Sequence, residues 1–531
     1  MAQVQPALED RWEAPIQLIL KGGVVPQDAL HVTALLEMGG WNDRRAREEF
    51  GFADLFEMGE ELYRQIRARV SAHTFAGEDP VPWYKWVSMG ITYYLRGLMF
   101  AMPMVISIVA MLTLRYSLWS YEDFGPDKAT SIAIATMCSF LVTGGFTQAV
   151  ARRGLFYISQ KEYSLARRST VRMILAGMVV AVAIAVLLSL LNVIVPFFPW
   201  SVIAYVVPYY LFLSLLWLSI TVLYMMRQEL IFTAITAGGI GAVWLLFKKF
   251  QWDIVVAQMI SLGTSTVISL LIGFWLFKRQ ERRSDAGTGE AQMPRWSQVS
   301  RLLVPYFLFG VLYFGFLYLD RLLAWSVPAE VHPYPIWFEG RYELGLDWAI
   351  LTLVMPMGLL ELFINVFAKR LEHWQGAVPA AQWRSFNKRF QSAYLWQLGA
   401  MAVLATAGGI FVWLFTVQWK LPGSLRTDLF ASAETRFVFV FGTIAYIFVS
   451  TGLLNSLMLF SLNYPWPAVR AMGLAVIADL IIGFLASRMV AGHLELAVLG
   501  LLAGAILFCV SSSLSVYKVL SKLDYMLYRS V

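Results

Sequence analysis

Long apolar runs recur along this sequence, and they restrict the possible folds more than any other feature. A helix of ~20 apolar residues rises ~30 Å, which is the thickness of the hydrocarbon core of a membrane. Of the 531 residues, 58% are hydrophobic and 15% are charged, whereas ~25% of a soluble protein is charged. The sequence therefore predicts an all-α polytopic membrane protein with about 12 transmembrane helices.

The apolar runs fall into two groups of six, separated by a basic hydrophilic connection. Predicted spans lie near residues 97–114, 130–150, 173–194, 202–225, 231–247 and 254–277, and then near 302–319, 344–367, 393–417, 437–462, 472–489 and 496–516. This arrangement predicts two six-helix bundles around a central cavity, and parallel repeats of that kind place the substrate path at their interface. The predicted parts are a cap (1–82), an N-terminal bundle (83–277), a linker (278–301) and a C-terminal bundle (302–531).

The segment before the first span differs from the rest of the chain in charge. Acidic residues outnumber basic ones over residues 1–82, although the whole chain carries a net charge of +7. Apolar residues recur at helical spacing in Ala29 to Met38 and in Asp43 to Arg69, and Pro80 and Pro82 then separate the segment from the membrane. We expect a small helical cap that serves docking or regulation rather than chemistry.

The distribution of Lys and Arg predicts the orientation of the chain. If the cap is cytoplasmic, the connections on its side of the membrane hold most of the basic residues, as cytoplasmic loops do. An even number of spans then places both termini in the cytoplasm. The N-terminus lacks a basic region followed by an apolar core, so no cleaved signal peptide is expected.

Several classes of function lack their usual signals in the sequence. The two cysteines, Cys138 and Cys509, lie within apolar runs and predict neither a disulfide framework nor a metal site. The excess of positive charge falls in short loops that face anionic lipid, which argues against nucleic-acid binding. No nucleophile elbow, phosphate loop or clustered histidines stand out. We therefore predict no enzyme, no cofactor and no metal.

Charged residues inside or at the ends of spans are the strongest candidates for a functional site, since each costs ~2.5–3.5 kcal/mol near a helix centre. Asp320 and Arg321 end the seventh span and point ~100° apart on a helix, so they do not simply pair with each other. Arg321 could bind an anionic sugar or phosphate, or it could anchor the helix at the membrane surface.

The eighth and eleventh spans carry further polar groups. Glu361 and Asn365 are four residues apart and share one helix face, just after Pro356, which frees backbone carbonyl groups. Asp479 lies in the middle of the eleventh span, where it is either a cavity or proton-coupling group or a structural carboxylate between helices. Gln148 in the second span is a weaker candidate.

Three segments resemble a known group of membrane proteins. These are Leu317 to Ser326, Arg341 to Asp347, and Gly144 to Gln148 before Arg152 and Arg153. The chain resembles the multidrug/oligosaccharidyl-lipid/polysaccharide (MOP) exporter superfamily, and these segments are most similar to Pel-type exopolysaccharide exporters. The resemblance implies two six-helix bundles around a cavity, and flipping or export of a polysaccharide across a bacterial inner membrane beside a polysaccharide synthase. The acidic cap is an addition to the usual pattern.

We therefore expect an inner-membrane flippase or exporter of an extracellular polysaccharide or its lipid-linked precursor, working by alternating access. Trp325, Trp337 and Trp348 are expected to stack on sugar rings near the outer mouth. The expected cavity residues are Asp320, Arg321, Glu361, Asn365, Asp479, Trp325 and Gln148. The expected partners are the saccharide, the lipid bilayer and a synthase or other export-complex subunits, with no nucleic acid.

Three alternatives remain open at this point. A cation-coupled multidrug exporter of the same superfamily would need few basic residues in its cavity. A membrane-embedded polymerase or glycosyltransferase would need a large soluble catalytic domain or a large outer loop, and the loops here are short. A non-transporting scaffold could organise a synthase through the acidic cap.

Overall fold

A computed structural model describes most of the chain. It describes residues 12, 15, 16, 19, 29–38, 40–75, 83–283, 296–328, 333–377, 383–418, 432–489 and 493–530. Within these residues the regular structure is helical, apart from one isolated antiparallel bridge between Tyr116 and Tyr121. The predicted all-α class is confirmed.

The described helices run as follows, in chain order. They are α1 (Ala29–Met38), α2 (Asp43–Arg45), α3 (Leu55–Phe75), α4 (Trp83–Leu114), α5 (Pro126–Ser159), α6 (Tyr163–Ile194), α7 (Trp200–Met225), α8 (Glu229–Trp244), α9 (Ile254–Arg283), α10 (Trp296–Trp325), α11 (Gly340–Ile350), α12 (Val354–Ala377), α13 (Trp383–Gln418), α14 (Ala433–Ser461), α15 (Trp466–Met489), α16 (Val498–Leu520) and α17 (Leu523–Ser530). Short π-helical turns follow α2 and α8, and 3-10 turns precede α12 and α16.

Twelve stretches of the described chain are long and apolar enough to cross a membrane, as predicted. Helices α4 to α9 supply six of them, and α10, α11 with α12, and α13 to α16 supply the other six. Because the spans alternate in direction, the first begins and the twelfth ends at the same side of the bundle. We call that side the terminal face and the opposite side the far face.

The chain divides into two compact units: residues 1–87 with 371–380, and residues 88–370 with 381–531. The first unit has its own small core, in which α1 packs on α3. Val32, Leu36, Met58 and Leu62 are fully buried in that core. The second unit contains the membrane-spanning bundles.

Two helices extend into the predicted linker from its two ends. α9 continues to Arg283 and α10 begins at Trp296, so both are longer than the apolar runs on which the prediction was based. The remaining part of the predicted linker, residues 284–295, lies outside the described residues. The first span is also longer than predicted, because α4 begins at Trp83 and keeps Pro103 within one helix.

The eighth span, predicted as one helix, is broken into α11 and α12. Residues Leu351–Leu353 form a 3-10 turn just before Pro356. Proline lacks the N–H that would donate to the carbonyl group of Thr352, and its ring crowds that carbonyl group. The backbone therefore tightens locally. The Thr352 hydroxyl donates to the Ala349 carbonyl oxygen at 2.8 Å within the turn.

The two bundles meet along two pairs of helices, which we call the seams. In the first seam, α5 packs against α10 where Gly144 faces Gly310. A Cβ atom on Gly310 would lie 2.7 Å from the Gly144 carbonyl carbon and closer still to its oxygen. In the second seam, α4 meets α12, and a Cβ on Gly97 would lie 2.8 Å from the Cα of Gly358. Small residues at these points let the helix backbones touch.

Polar contacts hold the first seam near both ends. Towards the terminal face, a guanidinium nitrogen of Arg152 donates to Asn463 Oδ1 at 3.0 Å, and Arg152 lies over the ring of Tyr306. Towards the far face, the backbone N–H of Phe338 donates to Thr130 Oγ1 at 3.1 Å. Contacts therefore join the two bundles towards both faces in this conformation.

Candidate functional site

One guanidinium group and two carboxylates form a cluster between α10 and α11. Arg321 Nε lies 3.5 Å from Glu343 Oε1, and a terminal nitrogen of Arg321 lies 3.9 Å from Asp347 Oδ1. Arg321 and Glu343 are buried, at 8% and 9% exposure. The Tyr318 ring supports the guanidinium from one helical turn earlier, with 5.2 Å between Cζ and the ring centroid. We call Arg321, Glu343 and Asp347 the charged cluster.

Helix geometry brings these groups together. Glu343 and Asp347 are four residues apart, so they share one face of α11 and can both approach Arg321. Glu343 also lies in the first turn of α11, where the helix dipole favours a negative charge. The hairpin from α10 to α11 places this face beside the last turns of α10.

The end of α10 is anchored by an arginine from another helix. Arg488 of α15 donates to the backbone oxygens of Leu323, at 3.3 Å, and of Ser326, at 3.1 Å. It also donates to the hydroxyl oxygens of Ser326 and Ser487. Carbonyl groups at a helix C-terminus lack partners within the helix, and a cation there satisfies them. Arg488 therefore fixes the segment of α10 that carries Arg321.

Asp320, which precedes Arg321, takes different partners. Its side chain is fully buried, and Oδ2 accepts a hydrogen bond from the Tyr342 hydroxyl at 2.8 Å. Asp479 of α15 is also fully buried and lies near enough to Asp320 for their charges to interact. Within the described part of the chain, Asp320 Oδ1 and both Asp479 oxygens have no hydrogen-bond partner. We call Asp320 and Asp479 the buried acid pair.

Glycines of α15 and of the neighbouring α16 leave room for Asp479. A Cβ on Gly500 of α16 would lie 2.6 Å from Asp479 Oδ1, and a Cβ on Gly483 would lie 3.5 Å from the same oxygen. Asp320 was expected to line a cavity, and Asp479 was expected to be either a cavity group or a structural carboxylate between helices; in the structure both are buried in the packing between α10, α15 and α16. The physical reason is this close approach of α16 on one side and the Tyr342 hydroxyl on the other.

Asp347 is the accessible member of the charged cluster. Its side chain is 59% exposed, whereas the guanidinium group that it approaches is buried. The charged cluster therefore joins a buried guanidinium group to an accessible carboxylate.

Stacked aromatic rings connect the neighbourhood of Arg321 to the other bundle. Phe140 of α5 stacks on Trp217 with centroids 4.3 Å apart, and on Phe314 of α10 at 5.0 Å. Tyr318 continues the stack at 5.7 Å from Phe140. The Trp217 indole N–H donates to Ser139 Oγ at 3.1 Å, which orients the ring. The stack lies in the α5–α10 seam and ends on the ring that supports Arg321.

Trp325 does not form the expected stacking surface for sugar rings. It is 1% exposed and packs edge-on against Phe338 with centroids 5.2 Å apart. Its backbone oxygen accepts from the backbone N–H of Trp337 at 3.0 Å, so the connection after α10 folds back over it. Trp348 is 3% exposed. Neither Trp325 nor Trp348 offers a free ring face in this conformation.

The remaining predicted residues lie away from the charged cluster. Asn365 donates to the side chain of Glu361 at 2.9 Å, and both lie on α12. Glu361 borders the α4–α12 seam, since a Cβ on Gly97 would lie 3.0 Å from its Cβ. The helical rise from Glu343 to Glu361 is about 27 Å, which separates Glu361 from Arg321. Gln148 packs against Gly310 in the α5–α10 seam.

Four residues of the site were missed from the sequence. Tyr342 and Glu343 were assigned to a connection before the eighth span. Asp347 was noted only because it ends a segment that resembles a known group. An acidic pair at positions i and i+4 beginning a span was the available signal. Arg488 was missed because its role depends on the end of a different helix, which no local pattern shows.

Solved structures with this fold were found, although no known family model and no curated protein matches the chain. One is an outward-facing multidrug resistance MATE family transporter of the MOP superfamily (13% identity, TM-score 0.56, 82% of this chain and 96% of that chain). Another is a MATE in complex with MaL6 (13% identity, TM-score 0.57, covering 82% and 97%). A third is a MOP superfamily transporter from Pyrococcus furiosus, described by the reversed polarity of its binding pocket and a suggested different function (14% identity, TM-score 0.56, covering 81% and 96%).

These similarities show the fold: two halves of six membrane-spanning helices each, as in MATE transporters. The predicted two-bundle architecture is confirmed. At this level of identity the similarities carry no information on the substrate, and they do not extend to the Pel-type exporters in particular.

Proposed function

We propose that this chain exports an extracellular polysaccharide, or its lipid-linked precursor, across a bacterial inner membrane by alternating access. The observation that carries the proposal is the charged cluster, which sits within membrane-spanning helices and has one accessible carboxylate, that of Asp347. Charged groups are kept inside a membrane at considerable cost and usually border a substrate path.

The composition of the charged cluster favours a polyhydroxyl cargo over a lipophilic cation. A guanidinium group donates hydrogen bonds and carboxylates accept them, so sugar hydroxyl groups can satisfy both kinds of group at once. A lipophilic cation would gain from Glu343 and Asp347 but would be repelled by Arg321. The resemblance of Leu317–Ser326 and Arg341–Asp347 to Pel-type exporters supports the same assignment.

A cation-coupled multidrug exporter is the second candidate, and one observation favours it. Acidic groups outnumber basic ones around Arg321, since Glu343, Asp347 and the buried acid pair of Asp320 and Asp479 lie close together. Three of the four oxygens of this acid pair have no hydrogen-bond partner among the described residues, and such a pair needs a cation or a proton when it is shielded from water. Under the proposed function, the buried acid pair takes up that cation or proton during the transport cycle.

The proposal also covers the orientation of the protein in the membrane and its partners. Both termini lie in the cytoplasm, where the acidic cap can contact a polysaccharide synthase or another subunit of an export complex. Basic connections on the same side face anionic lipid. The cargo passes from the synthase to the far face.

Deletion of the gene in its own cell tests the function. Loss of surface polymer with unchanged retention of ethidium supports the proposal, and restoration by the wild-type chain confirms the cause. Raised ethidium retention with normal surface polymer would instead establish the multidrug exporter. Normal polymer and normal ethidium retention would contradict both.

A further inference from the structure

We infer that Arg321, Glu343 and Asp347 form a subsite that binds the hydroxyl groups of one sugar residue of the cargo. This inference rests on the proposed function and specifies which groups of the cargo the protein recognises. It differs from the expectation that aromatic side chains at the far face recognise the sugar.

Unused hydrogen-bonding capacity is the first observation. Arg321 Nε and Glu343 Oε1 lie 3.5 Å apart, and within the described residues neither atom has a hydrogen-bond partner. The contact from Arg321 to Asp347 is longer, at 3.9 Å. Donor–acceptor distances in good N–H···O hydrogen bonds are ~2.7–3.2 Å. The three side chains therefore attract one another without using the hydrogen-bonding capacity of Arg321 Nε and Glu343 Oε1.

The position of these groups is the second observation. Arg321 is nine-tenths buried, whereas the Asp347 side chain is 59% exposed. The cluster thus runs from the protein interior to the accessible surface within two side chains.

The chemistry of the three groups selects a hydroxyl ligand. A hydroxyl group can donate to a carboxylate and accept from a guanidinium N–H at the same time. Neighbouring hydroxyl groups of a sugar ring can engage Asp347 and Arg321 together. A simple anion satisfies the guanidinium group but is repelled by Glu343 and Asp347. A simple cation is attracted by the two carboxylates but is repelled by Arg321.

The supporting structure holds the subsite in place before a ligand arrives. Tyr318 lies under the guanidinium, and Arg488 holds the end of α10 through two backbone oxygens. Glu343 and Asp347 are fixed relative to each other by α11. Such fixed donors and acceptors lose little conformational freedom on binding.

Binding measurements on the full chain in lipid nanodiscs test the inference. The probes are three neutral tetrasaccharides (cellotetraose, maltotetraose and chitotetraose), inorganic phosphate, and tetraphenylphosphonium as a lipophilic cation. We expect at least one tetrasaccharide to bind, and Asp347→Asn and Arg321→Gln each to weaken its binding ~10-fold, because each loses charge-assisted hydrogen bonds. Asp347→Glu keeps the carboxylate and should recover part of the loss.

Arg167→Gln provides the matched control. Arg167 pairs with Glu281 at 2.8 Å between α6 and α9, within one bundle and outside the charged cluster. This variant should bind the tetrasaccharide like the wild type. The thermal unfolding of every variant is recorded, so that loss of folding is not read as loss of binding.

The inference is overturned if none of the three tetrasaccharides binds to the wild-type chain, or if the bound one binds equally well to Asp347→Asn and Arg321→Gln. Tetraphenylphosphonium binding that depends on Asp347 and is strengthened by Arg321→Gln would also overturn it. A separate measurement of surface polymer distinguishes the two proposals. If these variants export polymer normally, the subsite is wrong and the export function stands.

Discussion

A methyl group added to Gly310 should force the two bundles apart at the α5–α10 seam. In Gly310→Ala, the new Cβ would lie 2.7 Å from the Gly144 carbonyl carbon, whereas ordinary van der Waals contact begins at 3.4 Å. The neighbour is backbone, so side-chain rotation cannot relieve the clash. The helices must separate by about 0.7 Å or more, and such overpacking costs ~1–3 kcal/mol.

The assay compares Gly310→Ala with Gly315→Ala, which lies on the same helix. A Cβ on Gly315 would lie 3.6 Å from Leu141 Cδ1, an ordinary contact. Alanine is also the better helix former by ~1 kcal/mol. Intrinsic fluorescence should therefore show a lower unfolding midpoint for Gly310→Ala and an unchanged or higher one for Gly315→Ala. Equal midpoints for the two variants would refute the close-packed seam.

Three further substitutions test the site. Tyr342→Phe removes the hydrogen bond to Asp320 and should cost ~1–3 kcal/mol, seen as a lower unfolding midpoint, since a buried acceptor loses its partner. An unchanged midpoint would contradict the bond. Gly500→Ala places a Cβ 2.6 Å from Asp479 Oδ1 and should lower both the midpoint and surface polymer; normal export would show that the acid pair tolerates displacement. Arg488→Gln frees the end of α10 and should speed amide hydrogen exchange there, whereas unaltered exchange would mean that α10 needs no anchor.

The fold was largely predictable because its main determinant is local. Apolar runs of sufficient length identify membrane-spanning helices without knowledge of their neighbours. The prediction placed Pro356 within a single unbroken helix. A sequence shows that proline disturbs a helix, but it does not show how the backbone adjusts. Here a 3-10 turn, Leu351–Leu353, absorbs the change.

The site was predicted in part, and the misses share a cause. Arg321 stood out because a charged residue near the end of an apolar run is unusual. Its partner Glu343 was assigned to a connection because its polar segment resembled a loop, and Asp347 was noted only as part of a segment that resembles a known group. Trp325 shows the opposite error: a tryptophan near a membrane surface suggested an exposed ring, but Phe338 and the following connection cover it. Tertiary contacts decided both cases.

The central claim is that the two bundles move relative to each other during export, and cross-linking across the α5–α10 seam tests it most directly. Arg152 and Asn463 contact each other between the bundles. They are replaced by cysteine in a chain whose own Cys138 and Cys509 are changed to serine, and a short, reducible bifunctional thiol reagent then joins them. The control pair, Arg167 and Glu281, lies within one bundle.

We predict that cross-linking Arg152→Cys to Asn463→Cys stops the appearance of surface polymer and that reduction restores it. The same treatment of the Arg167→Cys and Glu281→Cys chain should leave export unchanged. Undiminished export by a fully cross-linked Arg152→Cys and Asn463→Cys chain would contradict the account.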